Sequence, residues 1–193
     1  MTLVNLTING QTVKVPAGST VLEAARAAGI DIPTLCDHPA LTPIGACRLC
    51  LVEVERQRAL QTACTFTVTE GMVVHTESPR CVEARKFMLQ LLFSERNHFC
   101  MYCQMSGDCE LQDLAYRYGL TEWPYPRPTD PLPVDASRDY FVFDHNRCIL
   151  CRRCVRACNE LVANHTLAVR ERGIHSMITA DLNVPTGESS CIQ

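Results

Sequence analysis

The sequence predicts an α+β fold assembled from small modules. Three observations lead there: an N-terminal segment that alternates like paired strands, a later segment with a single helical stripe, and thirteen cysteines, most of them gathered in three groups. At 193 residues the chain has room for one or two ordinary domains or several small ones. Only 6% of the residues are aromatic, and small domains of that kind build thin cores that need staples.

The elements follow in order. Leu3, Val4, Leu6 and Ile8 precede Asn9-Gly10, a hairpin signal, and Val13 and Val15 alternate after it. Pro16-Ala17-Gly18 makes a turn. Ser19 is placed to cap a helix over 21–28, with Glu23 in its first turn and Gly29 as its stop. A cysteine loop runs from Cys36 to Cys50; residues 51–55 then alternate as a strand, and 72–75 form a second short one. Strand, strand, helix, cysteine loop, strand is the order of a small β-grasp domain, here over 1–78. Ser78-Pro79 opens a helix whose apolar residues Ala84, Phe87, Met88, Leu91 and Leu92 make one stripe, ending near Asn97-His98. Residues 110–118 read as helix and stop at Gly119, which closes a helical His/Cys box over 79–118. Periodicity is then lost over 119–147, where Pro124, Pro126, Pro128, Pro131 and Pro133 mark a linker arm. The last module, 148–193, opens on cysteines and leads into a helix near 152–163.

Several classes are excluded. A net charge of −3 gives no reason to expect nucleic acid. The N-terminus lacks the basic and apolar regions of an export signal. No apolar run approaches the ~20 residues of a membrane span; the longest, 87–93, is interrupted by Gln90. A cytoplasmic, reducing setting without membrane insertion is therefore expected, where thiols bind metal or do redox chemistry more often than they pair. No two of the nine glycines stand in a G-x-G arrangement, so neither the dinucleotide fingerprint nor a Walker loop is present, and the chain itself is not expected to bind NAD or FMN.

The first cysteine group is Cys36, Cys47, Cys50 and Cys64, spaced x10, x2 and x13. A C-x2-C pair on a tight loop points two thiolates at one centre, and the distant cysteines close the cage. Gly45 and Ala46 before the pair let backbone N–H groups approach the sulfurs, which a negatively charged cluster needs more than a compact ion does. The second group is Cys100, Cys103 and Cys109; three thiolates leave one position open, and His98 or, as its competitor, Cys81 could fill it. The third is Cys148, Cys151, Cys154 and Cys158, the C-x2-C-x2-C-x3-C run of bacterial ferredoxins, with Asn159 where proline is usual. Cys191-Ile192-Gln193 reads as the opening of another such run, so the chain is expected to continue past Gln193.

Zinc is the main alternative, in a stapled interaction module without redox function, but zinc sites pair two C-x2-C knuckles per ion, whereas the third run crowds four ligands onto one approach. Arg147, Arg152, Arg153 and Arg156 surround that run. They are either a solvated helix face or a means of offsetting cluster charge and docking a partner. No C-x2-C pair is left for a nickel site. The pattern is one of wiring without a substrate site.

In this order the groups carry a resemblance. The x10-x2-x13 set, then Asn97-His98 and the run from Cys100 through Cys103 and Cys109 to Asp113, then Cys148-Ile149-Leu150-Cys151-Arg152-Arg153-Cys154, resembles the N-terminal part of the large iron–sulfur subunit of respiratory complex I. It is more similar still to the small diaphorase subunit of soluble NAD-reducing [NiFe]-hydrogenases. The resemblance covers essentially the whole chain. It implies a [2Fe-2S] cluster on Cys36, Cys47, Cys50 and Cys64, a [4Fe-4S] cluster on His98, Cys100, Cys103 and Cys109, and another on Cys148, Cys151 and Cys154 in a ferredoxin-like segment. Cys158 and Cys191 are left for its fourth ligand or for a third [4Fe-4S] cluster. One residue separates His98 from Cys100, where the complex I box has three. The implied function is relay of electrons between a flavin- and NAD-binding diaphorase subunit and the small and large [NiFe]-hydrogenase subunits, coupling H2 oxidation to NAD+ reduction. The same conduit in an NAD-linked formate dehydrogenase or a complex I-like assembly is the alternative.

Overall fold

The computed structural model describes residues 2–122, 124–126 and 130–192. Pro128 of the expected arm lies outside the described residues, as does Gln193 with the expected continuation. Two compact units divide the chain, one over 1–37, 43–89 and 107–121, the other over 38–42, 90–106 and 122–193.

The first unit is built on a five-stranded sheet. Strands β1 (Leu3–Ile8) and β2 (Gln11–Pro16) form an antiparallel hairpin in which Ile8 faces Gln11. Asn9 and Gly10 both have positive φ, 50° and 84°, as a two-residue turn matched to strand twist requires. Asn9 also exchanges two hydrogen bonds with Thr76, at 2.7 and 2.9 Å, which ties the turn to the end of β5. β3 (Leu51–Val54), β4 (Gln61–Thr62) and β5 (Met72–His75) complete the order β2-β1-β5-β3-β4, with β1 and β5 parallel and the other pairs antiparallel. Alternation puts Leu6, Ile8, Val13, Val15, Val52, Val54, Met72 and Val74 on the inward face, where they meet Val21, Leu22, Ala24 and Ala25 of helix α1 (Val21–Ala27). Each such apolar side chain contributes roughly 1.5–3 kcal/mol when fully buried. The cap of α1 is Thr20 rather than Ser19: Thr20 Oγ1 accepts from Glu23 N while the Glu23 carboxylate accepts from Thr20 N, a reciprocal capping box that the Thr-x-x-Glu spacing permits and Ser19 does not.

Helix α2 (Pro79–Glu95) buries a different face from the one its apolar stripe suggests. Phe87 and Leu91 are exposed, at 44% and 38%, and Ala84, Met88 and Leu92 are half-buried. The inward face carries Cys81, Arg85, Leu89 and Phe93, one residue every four. Counting apolar residues misses this face because an arginine stands at its centre. Helix α3 (Glu110–Arg117) belongs to the first unit and buries Leu111, Gln112 and Ala115.

In the second unit a short pair, β6 (Val134–Asp135) and β7 (Phe143–Asp144), leads into a 3-10 turn at His145–Arg147, then helix α4 (Arg153–Arg156) and a π-turn over Ala157–Leu161. The helix expected over 152–163 is therefore broken. Its start is delayed by a left-handed Arg152, and Val162 N bonds back to Ala157 O, five residues earlier. Strands β8 (Leu167–Arg170) and β9 (Met177–Ala180) form a hairpin that the sequence pattern does not announce. Buried Arg96 donates to Ile174 O and Ser176 O in the connection of that hairpin. Among the described residues no helix is long and apolar enough to cross a membrane.

Candidate iron–sulfur sites

The four cysteines of the first group converge inside the first unit, each no more than 8% exposed. They meet as two pairs. Cys36 N donates to Cys47 Sγ at 3.4 Å and Cys47 N returns to Cys36 Sγ at 3.5 Å, while the Cys50 and Cys64 sulfurs lie 3.4 Å apart. Two thiolates on one tetrahedral metal, with bonds near 2.3 Å, stand ~3.8 Å apart, so the second pair is almost at ligand separation. The backbone between the paired cysteines is unusual: Arg48 is left-handed, φ 58°, as is Gly45 before it, φ 61°. A left-handed residue turns successive N–H groups toward one side, a concavity suited to anions. The hydrogen bond with Cys36, then burial, pushes the Cys47 thiol far above its ordinary range; the hydrogen bond with Cys64, then burial, does the same to Cys50. Cys64, which accepts from Cys50, is lowered. As thiolates, four such groups in so buried a place would need a cationic centre to offset their charge.

Behind this loop stands Arg85, fully buried. All five of its N–H donors are engaged: Nε with Leu49 O at 2.9 Å, Nη1 with Glu77 Oε1 at 2.7 Å and Tyr118 OH at 3.0 Å, Nη2 with Leu51 O at 2.8 Å and Thr76 O at 2.7 Å. It thus grips the carbonyls on either side of Cys50. On the other flank Asp37, beside Cys36, pairs with Arg26 at 2.7 Å. Cys81 is fully buried, with its thiol at 3.6 Å from His75 O and at 3.3 Å from Ser78 Oγ.

The second group is divided between the units. In the second unit Cys100 opens a 3-10 turn to Tyr102, and Cys103 N bonds back to Cys100 O at 3.1 Å. His98, just past α2, packs edge-on against Phe93 with centroids 5.5 Å apart. In the first unit Cys109 is the N-cap residue of α3, and its carbonyl accepts from Asp113 N.

Cys148, Cys151 and Cys154 lie in the second unit, near enough to act on one another electrostatically. Leu150 and Arg152 between them are left-handed, φ 53° and 58°, and Leu150 N points at Cys148 Sγ, 3.4 Å away. Left-handed backbone at a non-glycine residue costs roughly 1–2 kcal/mol, and at Leu150 it accompanies an N–H aimed at sulfur. Burial, then Cys151, raises the Cys148 thiol; desolvation, then Cys151 and Cys148, pushes Cys154 up to about 11. Cys158 is buried within the π-turn. Cys191 is half-buried, its carbonyl held by Arg138 Nη2 at 2.8 Å. Arg147, one residue before Cys148, donates from Nη1 to Cys103 Sγ at 3.2 Å.

Three families match successive parts of the chain: the 2Fe-2S iron-sulfur cluster binding domain over residues 1–79, the NADH-ubiquinone oxidoreductase-G iron-sulfur binding region over 85–123, and the ferredoxin-like domain of NADH-quinone oxidoreductase subunit 3 over 139–187. A crystal structure of an NAD+-reducing [NiFe]-hydrogenase in the H2-reduced state contains a chain similar to 97% of this one, at TM-score 0.91 and 38% identity, with 80% of that chain covered. The chain belongs to this family of iron–sulfur electron-transfer subunits. The iron–sulfur subunit is also 42% identical over 182 residues to a subunit of the NADH-quinone oxidoreductase of Rhizobium meliloti, matching 92% of this chain and 21% of the relative. To the NADP-reducing hydrogenase subunit HndD of Solidesulfovibrio fructosivorans it is 39% identical over 197 residues, 99% of this chain and 34% of the relative. It therefore spans between a fifth and a third of the length of these curated relatives. It carries [2Fe-2S] and [4Fe-4S] clusters, whose one-electron chemistry supplies a redox function.

The residues fit such groups. Thiols clustered under N–H-lined turns, with arginines at hand, offer soft anionic ligands and the hydrogen bonds that a reduced cluster needs. Sequence reasoning pointed to the cysteines but missed Arg85, whose Ala-Arg-Lys setting on a helix looks like a solvated cation. It also missed the left-handed arginines and leucine, since only glycine signals that conformation in a sequence.

Proposed function

We propose that the chain relays electrons within an NAD-reducing hydrogenase, between a flavin- and NAD-binding diaphorase subunit and [NiFe]-hydrogenase small and large subunits, in the cytoplasm. The observation that carries this is the likeness, over almost the whole chain and four-fifths of its counterpart, to a chain of an NAD+-reducing [NiFe]-hydrogenase. In this reading residues 1–78 are a β-grasp domain, supported by the β2-β1-β5-β3-β4 sheet with α1 across it. Residues 79–118 are the His/Cys box, 119–147 an arm and 148–193 a ferredoxin-like segment. Cys36 and Cys47 hold one iron of the [2Fe-2S] cluster and Cys50 and Cys64 the other, as their pairing suggests. His98, Cys100, Cys103 and Cys109 hold one [4Fe-4S] cluster by their spacing. Cys148, Cys151 and Cys154 hold a second, whose fourth ligand is left open, with Cys158 and Cys191 as candidates for that position or for a further [4Fe-4S] cluster.

Co-purification from the native host tests the assembly. The expected result is a complex with flavoprotein and hydrogenase subunits that reduces NAD+ with H2. A complex that oxidises NADH with a quinone and has no hydrogenase subunit would favour the second reading, a complex I-like assembly, for which the similarity to an NADH-quinone oxidoreductase speaks.

A further inference from the structure

We propose that Arg147 is the residue that sets the reduction potential of the second cluster and ties its ligand loop to that of the third. The inference rests on the assignment of Cys103 and Cys148 as cluster ligands. Arg147 stands directly before Cys148, yet its guanidinium reaches Cys103, 44 residues away in sequence, with Nη1 at 3.2 Å from Sγ. The contact is braced from the other end of the fork. Arg147 Nε lies 3.2 Å from Asp144 Oδ2. The other oxygen of Asp144 accepts from Asn146 N and Nδ2, both at 2.9 Å, and Asn146 is fastened in turn to Leu132 N and O, both at 2.8 Å. A guanidinium with one edge committed to a carboxylate keeps its other edge in a fixed plane, so the sulfur contact follows from a built network rather than from a loose surface side chain.

The chemistry of such a contact has a direction. Reduction adds one negative charge, shared by the cluster and its thiolates. An N–H donor on a ligand sulfur, itself cationic, stabilises that added charge and raises the potential. It acts most strongly on the cluster whose sulfur it touches, because partial exposure of Arg147 screens its charge at longer range. A donor seated on a cysteine sulfur of a different group is not what a merely solvated arginine face produces.

The test uses the purified full chain with its clusters, followed by redox titration with EPR detection. Arg147→Met keeps the apolar stem and removes donor and charge. The expected result is unchanged iron content and a lowered midpoint for the second cluster alone, by at least about tenfold in its reduction equilibrium, or 59 mV for one electron. Arg147→Lys keeps the charge without the fork, and a smaller shift in the same direction is expected. A native potential in Arg147→Met, or an equal shift in every cluster, overturns the proposal. If Arg147→Met loses the cluster, Arg147→Lys decides, and a native potential there overturns the hydrogen-bond role. Cys103→Ser separates the two levels of inference. Its loss of one four-iron signal upholds the ligand assignment whatever Arg147 does, while a retained native signal removes the assignment and the proposal together.

Discussion

Single residues decide how the sulfurs are held. Arg85 is an ion in a place where an apolar residue would ordinarily stand, and it is tolerated because each of its donors meets an acceptor. Truncating it leaves Leu49 O, Leu51 O and Thr76 O buried without that partner. Arg85→Met is expected to cost about 3–5 kcal/mol of unfolding free energy, read from urea titration of the loaded protein, and to make the [2Fe-2S] absorbance bleach sooner than the helix signal. Arg85→Lys recovers only part, since an ammonium has three donors and no fork. For the third cluster, Cys158→Ser and Cys191→Ser are to be compared by iron content and EPR: whichever supplies the fourth thiolate loses the signal, and a signal kept in both variants places the fourth ligand elsewhere. A neutral imidazole removes one negative charge from a cluster's ligand set relative to a thiolate. His98→Ala is therefore expected to leave the second cluster labile or reduced to three irons, and a stable four-iron signal at native potential would make His98 a bystander.

At the scale of elements, the second unit depends on one carboxylate. Asp135 at the end of β6 accepts from Ser137 Oγ at 2.5 Å and Ser137 N at 2.9 Å, and from Thr186 N at 2.6 Å, so it holds the short β6–β7 pair to the last 3-10 turn. These bonds, the Ser137 hydroxyl first, hold its carboxyl well below the usual carboxylate range. A depressed folded value means that the stabilisation is present above the unfolded pKa of about 3.9 and is lost as pH falls through the lower folded one. Limited pepsin digestion from pH ~5 down to ~2 should show residues 131–144 protected in the wild type until the lowest values. Asp135→Asn should be cut faster throughout, without that step. The same region shows where sequence reading stops. The β1–β2 hairpin was legible because Asn-Gly between alternating runs is a local signal, and α1 because its acidic first turn and glycine stop are local too, although its cap is Thr20 and not the expected Ser19. The β8–β9 hairpin was not, since its connection carries Gly173 among charged residues and its strands do not alternate between buried and exposed, β8 being mostly half-buried and β9 mostly buried. The face of α2 was misread for a related reason: a buried arginine is explained by three carbonyls from two other segments, neither of them visible in the helix itself.

At the scale of the whole molecule, the cysteine spacing points to candidate sites, at some of which backbone N–H groups meet sulfur, but spacing says nothing of where electrons enter. What is present are sulfurs in two settings. Those of the first group are buried, while Cys100, Cys103, Cys148, Cys151 and Cys191 are half-buried and Cys154 exposed. Exposed hydrophobic side chains, among them Phe99, Met101, Tyr102 and Met105, flank the second group in the chain. Hydride chemistry needs a flavin or nicotinamide held by its phosphates, and a phosphate cradle needs glycines close together at a helix N-terminus. No G-x-G pair occurs in the sequence. The purified chain is therefore expected to show no heat of binding with NADH or FMN, and NADH alone should leave its clusters oxidised while dithionite reduces them. Adding the flavoprotein that co-purifies with it should allow NADH to bleach the cluster absorbance within the turnover time of that flavoprotein. Reduction of the isolated chain by NADH at a comparable rate would place a pyridine-nucleotide site in this chain and overturn its reading as a conduit.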